Sequence, residues 1–359
     1  MPEKTIFKKG AAAQIALECL EFGGRGLIVH GSSLEKSGRK DKIVSQFPSL
    51  SKTACFCRPA GEPDLQELAQ VKDQAKALDA RWIAGIGGGS VLDVAKAAAG
   101  LYHAKQPAVF YQEGGALKEP GIPFIAVPTT AGTGSEATAN SVIINKENKT
   151  KLSIRDKRFL AKKVILDPEL LLGSSFSVLS YAGMDALVQG YESFISKNAT
   201  WFSETFALKA IELINENLIS ACESADEESL SCLLLGSYLA GIAFNASRLG
   251  VIHGIAHPLG VMYGLPHGLI CSVCFIPSIK LNKNAISGKY DTLSRITGGD
   301  FLQRIDTLLG RLKIKSPFKG KVLIEKEKII RETLFSGSTA ANPRQVTAQD
   351  VECILEEIF

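Results

Sequence analysis

The stretch that most restricts the fold of this chain is residues 82–102, in which an apolar run leads through a glycine turn into a helical pattern. The run WIAGI (82–86) predicts a buried strand, and the residues after GGGS (87–90) have the periodicity of a helix. A strand, a glycine turn and a helix in this order are typical of α/β units that bind nucleotides, because glycine lets the backbone approach a ligand and the first helical N–H groups attract phosphate. Ser90 and Asp93 fit an S-x-x-D capping box, which predicts that Ser90 starts the helix as its N-cap.

The rest of the first half also alternates strands and helices. Buried strands are predicted at 26–30, 122–127 and 164–166, a helix capped by Asp64 at 64–80, and a hairpin with strands at 141–145 and 151–155 around a polar turn at 146–150. The loop PTTAGTGSE (128–136) is dense in hydroxyl groups and glycine, so it can hydrogen-bond a cofactor while leaving it room.

The second half of the chain has a different pattern of predicted secondary structure. After Pro168 strand-like runs become rare, and helices are predicted at 181–195, 201–220, 229–245 and 347–358, the last beginning with a capping box of Thr347 and Asp350. We therefore predict an α/β nucleotide-binding domain at 1–165 and an all-helical domain at 166–359, with a ligand site between them.

Composition argues against several classes of protein. The 359 residues are 45% hydrophobic and 22% charged, and the net charge of +4 comes from scattered basic residues. We therefore expect no nucleic-acid partner and no membrane partner, and no uninterrupted apolar run approaches the length of a membrane span. The N-terminus lacks the apolar core of a signal peptide, and eight cysteines, including a lone C-x-x-C at Cys271 and Cys274, form no zinc-ribbon pattern. This pattern indicates reduced, mostly buried thiols in a cytoplasmic protein.

Three of the five histidines lie within residues 251–268. His253 and His257 are one helical turn apart, and Pro258 predicts a bend soon after them. The glycine-rich segment that follows can bring His267 back towards His253. A histidine cluster of this density indicates metal or proton chemistry.

A carboxylate completes the candidate metal site. Asp185 and Gln189 lie one turn apart on one face of the helix predicted at 181–195. Asp185 with His253 and His267 suits catalytic zinc or ferrous iron, which makes an alcohol lose its proton more easily or polarises a carbonyl. Beside a dinucleotide site this chemistry predicts hydride transfer at a nicotinamide, with His257 able to relay the alcohol proton to solvent.

The order and spacing of five motifs resemble the iron-containing, or group III, alcohol dehydrogenase family across essentially the whole chain. The motifs are GGGSVLDVAK (87–96), PTTAGTGSE (128–136), GMDAL (183–187), HGIAHPLG with PHG (253–268) and ANPR (341–344). The resemblance implies a Rossmann-like N-terminal domain and a helical C-terminal domain, a dehydroquinate synthase-like fold in which a metal and a nicotinamide meet. It also implies a small alcohol or aldehyde as the substrate and a homodimer or larger homo-oligomer.

The resemblance assigns roles to individual residues. Asp185, His253 and His267 match metal ligands, His257 matches the histidine next to the nicotinamide, and Phe244 matches an aromatic residue of the pocket wall. The positions that match cofactor-binding residues are Gly87, Gly88, Gly89, Ser90 and Asp93 in the first loop, Thr129, Thr130 and Thr138 in the second, Lys151 at the ribose, and Leu170.

Two positions depart from the family pattern. Iron-binding members usually have a second histidine four residues after the aspartate, whereas this chain has Gln189, a candidate fourth position that leaves both iron and zinc open. NAD-dependent members tend to have an aspartate after the strand at 26–30, whereas this chain has Gly31 and Ser32, with Lys36 and Arg39 beyond. We therefore predict that NADP(H) is favoured over NAD(H), which is tolerated.

Three alternatives to a metal-dependent NAD(P)(H) alcohol dehydrogenase or aldehyde reductase remain. A metal-free reductase like the maleylacetate reductases shares this fold, but the presence of Asp185, His253 and His267 argues against it. A dehydroquinate-synthase-like lyase also pairs nicotinamide with zinc, but the motifs at 128–136 and 253–260 have the alcohol dehydrogenase form. The third is a non-catalytic relative.

Overall fold

A computed structural model describes residues 1–147 and 150–359. The strands are β1 Lys4–Phe7, β2 Arg25–Gly31, β3 Lys52–Arg58, β4 Trp82–Gly87, β5 Phe124–Pro128, β6 Asn140–Asn145, β7 Thr150–Arg155 and β8 Lys163–Leu166. The helices are α1 Ile15–Leu20, α2 Ser32–Lys36, α3 Arg39–Val44, α4 Leu65–Ala77, α5 Gly89–Gly100, α6 Ala108–Gln112, α7 Phe176–Ile195, α8 Trp201–Glu223, α9 Glu227–Ser247, α10 Val251–Tyr263, α11 His267–Asn282, α12 Ser287–Thr297, α13 Phe301–Arg311, α14 Lys326–Phe335 and α15 Ala348–Ile358.

The chain divides into two compact units, one of residues 1–130 and 134–172, the other of residues 131–133 and 173–359. The first unit contains every described strand and the second is built from helices. The predicted fold class, an α/β part followed by an all-helical part, is therefore confirmed.

The first unit is built around a parallel sheet of six strands in the order β1-β8-β5-β4-β2-β3. Every residue of β4 and β5 is buried, as expected for central strands covered on both faces. The register pairs Gly87 with Pro128, so the turns that follow these two strands begin side by side at the carboxyl edge of the sheet. β6 and β7 form the predicted antiparallel hairpin, and residues 148 and 149 of its predicted turn lie outside the described residues.

Two strands were not expected from the sequence. β1 has only four residues and none of them is buried, and most residues of the edge strand β3 are half-buried or exposed. Neither segment shows the uninterrupted apolar run that marks a central strand, so hydropathy gives little signal for them.

The second unit packs α7, α8 and α9 together, with α11 also against α7. α9 is long and apolar enough to cross a membrane by length and composition alone, although polar residues interrupt its apolar sequence. However, 67% of its most apolar window is buried inside the protein, as in the core helix of a globular protein. The capping box of Thr347 and Asp350 is confirmed at the start of α15.

The expected bend after Pro258 does not end α10, which continues to Tyr263. A proline removes one hydrogen bond from a helix, here the one to the carbonyl of Gly254. Pro258 and Leu259 are both buried, and we attribute the continuation of the helix to that burial. The helix ends instead at Gly264, whose φ of 62° lies in the left-handed region that glycine adopts without strain.

Candidate active site

The glycine turn lies at the carboxyl edge of the sheet, between β4 and α5. A Cβ on Gly87 would lie 2.5 Å from Val91 Cγ2, so only glycine fits there. A Cβ on Gly88 would lie 3.2 Å from Thr130 Oγ1, and Thr129 N donates to Gly87 O over 3.0 Å. The two predicted cofactor loops therefore lie against each other.

The predicted capping box at the start of α5 is wrong. The helix begins at Gly89 with Gly88 as its N-cap, and no side chain caps it. Ser90 lies inside the first turn, where its Oγ accepts a hydrogen bond from Arg58 over 2.9 Å. Since no side chain of the described residues makes a capping hydrogen bond there, the first N–H groups of the helix and the positive end of its dipole suit a phosphate group.

Asp93 connects α5 to the second loop instead of capping the helix. Its Oδ1 accepts from Ser135 Oγ over 2.6 Å, and its Oδ2 accepts from Val142 N over 3.0 Å. The carboxylate therefore holds the loop and the first strand of the hairpin in place.

Lys96, a residue that was not predicted to be functional, is fully buried under the second loop. Its Nζ donates to Ser135 O, to Thr138 O and Oγ1 over 3.3 and 3.1 Å, and to Asn140 O over 2.9 Å. Burial lowers the pKa of Lys96 to about 8. The sequence did contain a signal for this role, namely a lysine among the alanines of VAKAAAG. A charge on the apolar face of a helix needs buried partners. Thr138, expected to face the cofactor, has its hydroxyl engaged with Lys96 and Ser135.

Other predicted cofactor residues also have protein partners. Lys151 Nζ pairs with Glu62 over 2.9 Å. Leu170 is buried, and its carbonyl accepts from Arg39 over 3.2 Å. Arg39 also donates to Leu172 O over 2.9 Å, so its guanidinium holds the chain instead of projecting towards a phosphate. Gly31 ends β2 with extended backbone, and Ser32 begins α2.

In the helical unit, Asp185 of α7, His253 of α10 and His267 of α11 come together. Asp185 Oδ1 lies 3.4 Å from His253 Nε2 and 3.7 Å from His267 Nε2. The same Oδ1 is buried and has no hydrogen-bond donor among the described residues. A fourth side chain, Cys271, lies with them, and the ligand atoms of all four are within 4.8 Å of one another.

A glycine makes this approach of helices possible. A Cβ on Gly268 would lie 2.1 Å from Tyr181 O and 3.3 Å from Asp185 Cβ. The backbone of α11 therefore contacts α7 directly at Gly268, and this close packing places His267 beside Asp185.

Glu192, which was also not predicted, orients His253 from the far side of its ring. The buried carboxylate accepts from His253 Nδ1 over 2.6 Å and from Ile252 N over 2.7 Å. Because Nδ1 donates to Glu192, Nε2 is the atom that faces Asp185 and Cys271, where it can carry a proton or, once deprotonated, bind a metal. A carboxylate behind a histidine is a common support of metal ligands.

The charges of the cluster favour a cation. Burial raises the pKa of Asp185, but the facing His267 and His253 outweigh it and hold this pKa below its ordinary value. Burial lowers the pKa of His253, but Cys271, Asp185 and Glu192 raise it well above its ordinary value. The carboxylates thus stabilise positive charge at this position.

The remaining predicted residues lie on the same helices. His257 stacks on His267, with ring centroids 5.4 Å apart, and is half-buried. Gln189 is buried one turn after Asp185, and its Oε1 has no hydrogen-bond donor in the described part of the chain. Phe244 is buried near the end of α9.

Models of two protein domains match almost all of the chain. The iron-containing alcohol dehydrogenase model matches residues 2–168, and the C-terminal model of the Fe-containing alcohol dehydrogenase family matches residues 179–359. This chain belongs to the iron-containing alcohol dehydrogenase family. The resemblance stated from the motifs is thereby confirmed.

Similar proteins cover the full length of this family member. It is 28% identical to an NAD-dependent methanol dehydrogenase of Bacillus methanolicus, over 99% of this chain and 98% of that protein. It is 25% identical to an NADPH-dependent butanol dehydrogenase of Clostridium saccharobutylicum, over 100% of this chain and 97% of that protein. The crystal structure of a 1,3-propanediol oxidoreductase matches with a TM-score of 0.95 and 27% identity, over 100% of this chain and 98% of the other. The predicted class of enzyme, an oxidoreductase acting on alcohol or carbonyl groups, is confirmed.

Proposed function

We propose that this protein transfers hydride between a nicotinamide dinucleotide and a small alcohol or aldehyde with the help of one divalent metal ion. The observation that carries the proposal is the buried convergence of Asp185, His253 and His267 in a chain that also has an uncapped helix behind a glycine turn. In this proposal the first unit binds the dinucleotide and the second unit binds the metal.

The donor set fits a divalent metal. Asp185 Oδ1 is buried without a hydrogen-bond donor among the described residues, and Glu192 directs the Nε2 of His253 towards the same point. Carboxylate and imidazole donors suit iron and zinc alike. A metal held by Asp185, His253 and His267 supplies Lewis acidity that polarises the substrate oxygen.

His257 is the proposed proton carrier. Its ring stacks on that of His267 and is half-buried, so it can exchange protons with solvent while lying beside the metal ligands. In alcohol oxidation the imidazole takes the hydroxyl proton and releases it to water, and in carbonyl reduction it returns a proton. Phe244 is proposed as an apolar wall of the substrate pocket.

The dinucleotide is proposed to bind along the two adjoining loops of the first unit. Gly87, Gly88, Gly89 and Ser90 present backbone N–H groups to the pyrophosphate, while Thr129 and Thr130 border the same space. Asp93 and Thr138 position these loops through Ser135 and Lys96. Lys151 and Leu170 are proposed to contact the ribose and nicotinamide portions.

We propose a preference for NADP(H) over NAD(H), since β2 ends at Gly31 and not at an acidic residue. Ser32 and the exposed Lys36 are the proposed phosphate contacts. Arg39 is not proposed as a phosphate contact, because its guanidinium donates to the carbonyls of Leu170 and Leu172. The nearby carboxylate of Glu35 pairs with Lys40 over 3.2 Å, which offsets its repulsion of a phosphate.

Gly31→Asp tests the cofactor proposal. A Cβ at this position would lie 3.5 Å from Val91 Cγ2, an ordinary contact, so a β-carbon is accommodated there. The expected result is a lower kcat/KM for NADPH and a shift of preference towards NADH, because the carboxylate repels the 2′-phosphate. Gly31→Asn is the control of equal size without charge. A clear preference of the wild type for NADH contradicts the proposal.

The activity itself is tested by nicotinamide absorbance with a panel of alcohols and aldehydes, before and after chelation. We expect turnover that chelation removes and a divalent metal restores. Turnover that survives complete metal removal favours the metal-free reductase, and absence of turnover on the whole panel contradicts the proposed function.

A homo-oligomer in the cytoplasm completes the proposal. The cytoplasmic location is supported by the eight cysteines, which are all free, as in a reducing compartment. The homo-oligomer is supported by Trp201 at the start of α8, an aromatic residue that is 80% exposed. Light scattering of the purified protein measures the oligomeric state.

A further inference from the structure

A buried thiol lies among the three proposed metal ligands. Cys271 follows His267 by one turn of α11, and its Sγ lies 3.5 Å from His267 Nε2 and 4.0 Å from His253 Nε2. We infer that Cys271 is a fourth metal ligand and that the site is consequently selective for zinc over iron. The inference rests on the proposed function in one respect only, namely that a metal binds at this cluster.

The spacing of the donor atoms supports coordination. With zinc–nitrogen bonds of about 2.0–2.1 Å and zinc–sulfur bonds of about 2.3 Å, neighbouring donors of a tetrahedral site lie about 3.3–3.6 Å apart. The distances from Asp185 Oδ1 to His253 Nε2 and His267 Nε2 are 3.4 and 3.7 Å. The sulfur distances of 3.5 and 4.0 Å are at or slightly above the same range. Small rotations of side chains therefore bring all four donors around one ion.

Cys271 also compensates for the position where the family pattern has histidine. Gln189 offers a neutral amide oxygen there, which binds first-row metals less strongly than imidazole. A thiolate adds a strong donor and a second negative charge beside Asp185, so the two anions balance a divalent ion. The thiol proton leaves to solvent when the sulfur binds.

The identity of the metal follows from the donor. Thiolate sulfur is a soft ligand that favours zinc, whereas carboxylate and imidazole donors accept either metal. With Cys271 among the donors, Asp185, His253, His267 and Cys271 would hold the ion, and a substrate oxygen would join as a fifth ligand, an expansion that some catalytic zinc sites make.

Cobalt(II) spectroscopy of the full-length protein tests the inference without reference to turnover. The protein is stripped of metal and titrated with cobalt, whose near-ultraviolet charge-transfer band reports a thiolate bond directly. We expect this band in the wild type and in Cys274→Ser, a buried cysteine of the same helix outside the cluster. We expect no band in Cys271→Ser, which retains the size of the side chain.

Zinc affinity, measured by competition with a chromophoric chelator, provides the second readout. Cys271→Ser should weaken zinc binding by at least the roughly 10–100-fold that loss of an outer-shell partner costs. Cobalt bound by the wild type without the band, or equal zinc affinity in Cys271→Ser, overturns the role of Cys271 and leaves the proposed function standing. A wild type that binds neither ion overturns both.

Discussion

The glycine turn with its neighbouring loop and the histidine cluster show two different ways of building a site. The first is formed by backbone at the ends of β4 and β5, and its side chains mostly face inward to hold the loops. The second is formed by side chains from α7, α10 and α11, which converge from positions far apart in the chain. Substitutions at the first should therefore act through loop shape, whereas substitutions at the second should act directly on the metal.

The strongest test of this difference is Lys96→Met. It removes the buried cation that binds Ser135, Thr138 and Asn140, and so leaves buried oxygen atoms unpaired. We expect the free energy of unfolding to fall by several kcal/mol, because each buried oxygen left without a donor costs about 1–3 kcal/mol. Cofactor binding should weaken, while metal content per folded chain stays unchanged.

Denaturant unfolding and cofactor titration measure these effects. Lys72→Met is the matched control, since half-buried Lys72 makes one side-chain hydrogen bond within the described part of the chain, over 3.3 Å to Ala104 O. Its effect should stay within about 0.5–1.5 kcal/mol, the net contribution of one hydrogen bond. Equal destabilisation by the two variants would show that Lys96 has no special part in holding the loop.

His257→Ala addresses a residue that we place beside the metal but outside its ligands. Turnover should fall by roughly 10²–10⁴-fold, the usual contribution of a general acid or base, with a changed pH profile. Metal content should remain, because the ring is not a metal ligand in the proposal. Loss of metal in this variant would mean that the ligand histidines are wrongly assigned.

Of the variants Lys96→Met, His257→Ala and Glu192→Gln, the last is expected to have the smallest effect. That effect should be on metal binding alone. The amide oxygen can still accept from Ile252 N, but the charge that holds the His253 ring is lost. We expect the dissociation constant of zinc to rise roughly 10–100-fold. Glu212→Gln, at an exposed carboxylate of α8, serves as control. A weaker cofactor affinity in Glu192→Gln would contradict the proposal that the metal site and the cofactor loops respond independently to substitution.

The two regions also differ in how well the sequence predicted them. The glycine turn and its flanking strand and helix are contiguous, so local pattern located them correctly except for the helix start. The capping box was predicted wrongly because local pattern cannot show contacts between distant residues. Asp93 bonds to Ser135 and Val142, which only the folded protein brings near. Lys96 was missed for the same reason.

In the histidine cluster, chemistry predicted which three residues belong together but not their surroundings. Cys271 was treated as half of a C-x-x-C pair, although its spacing of four from His267 places both on one face of a helix. Glu192 had no local signal, because its partner His253 comes from another helix. Pro258 predicted a bend soon after it, but α10 continues to Tyr263, and we attribute this to burial of the surrounding helix, which outweighs the lost hydrogen bond.

Elemental analysis of the wild type, Asp185→Ala and His267→Ala tests the central claim most directly, when paired with a cofactor titration of the same samples. We predict one divalent metal ion per chain in the wild type and none in either variant. Cofactor affinity should be the same in all three, because the dinucleotide loops are built without these residues. Equal metal in all three proteins would contradict the account.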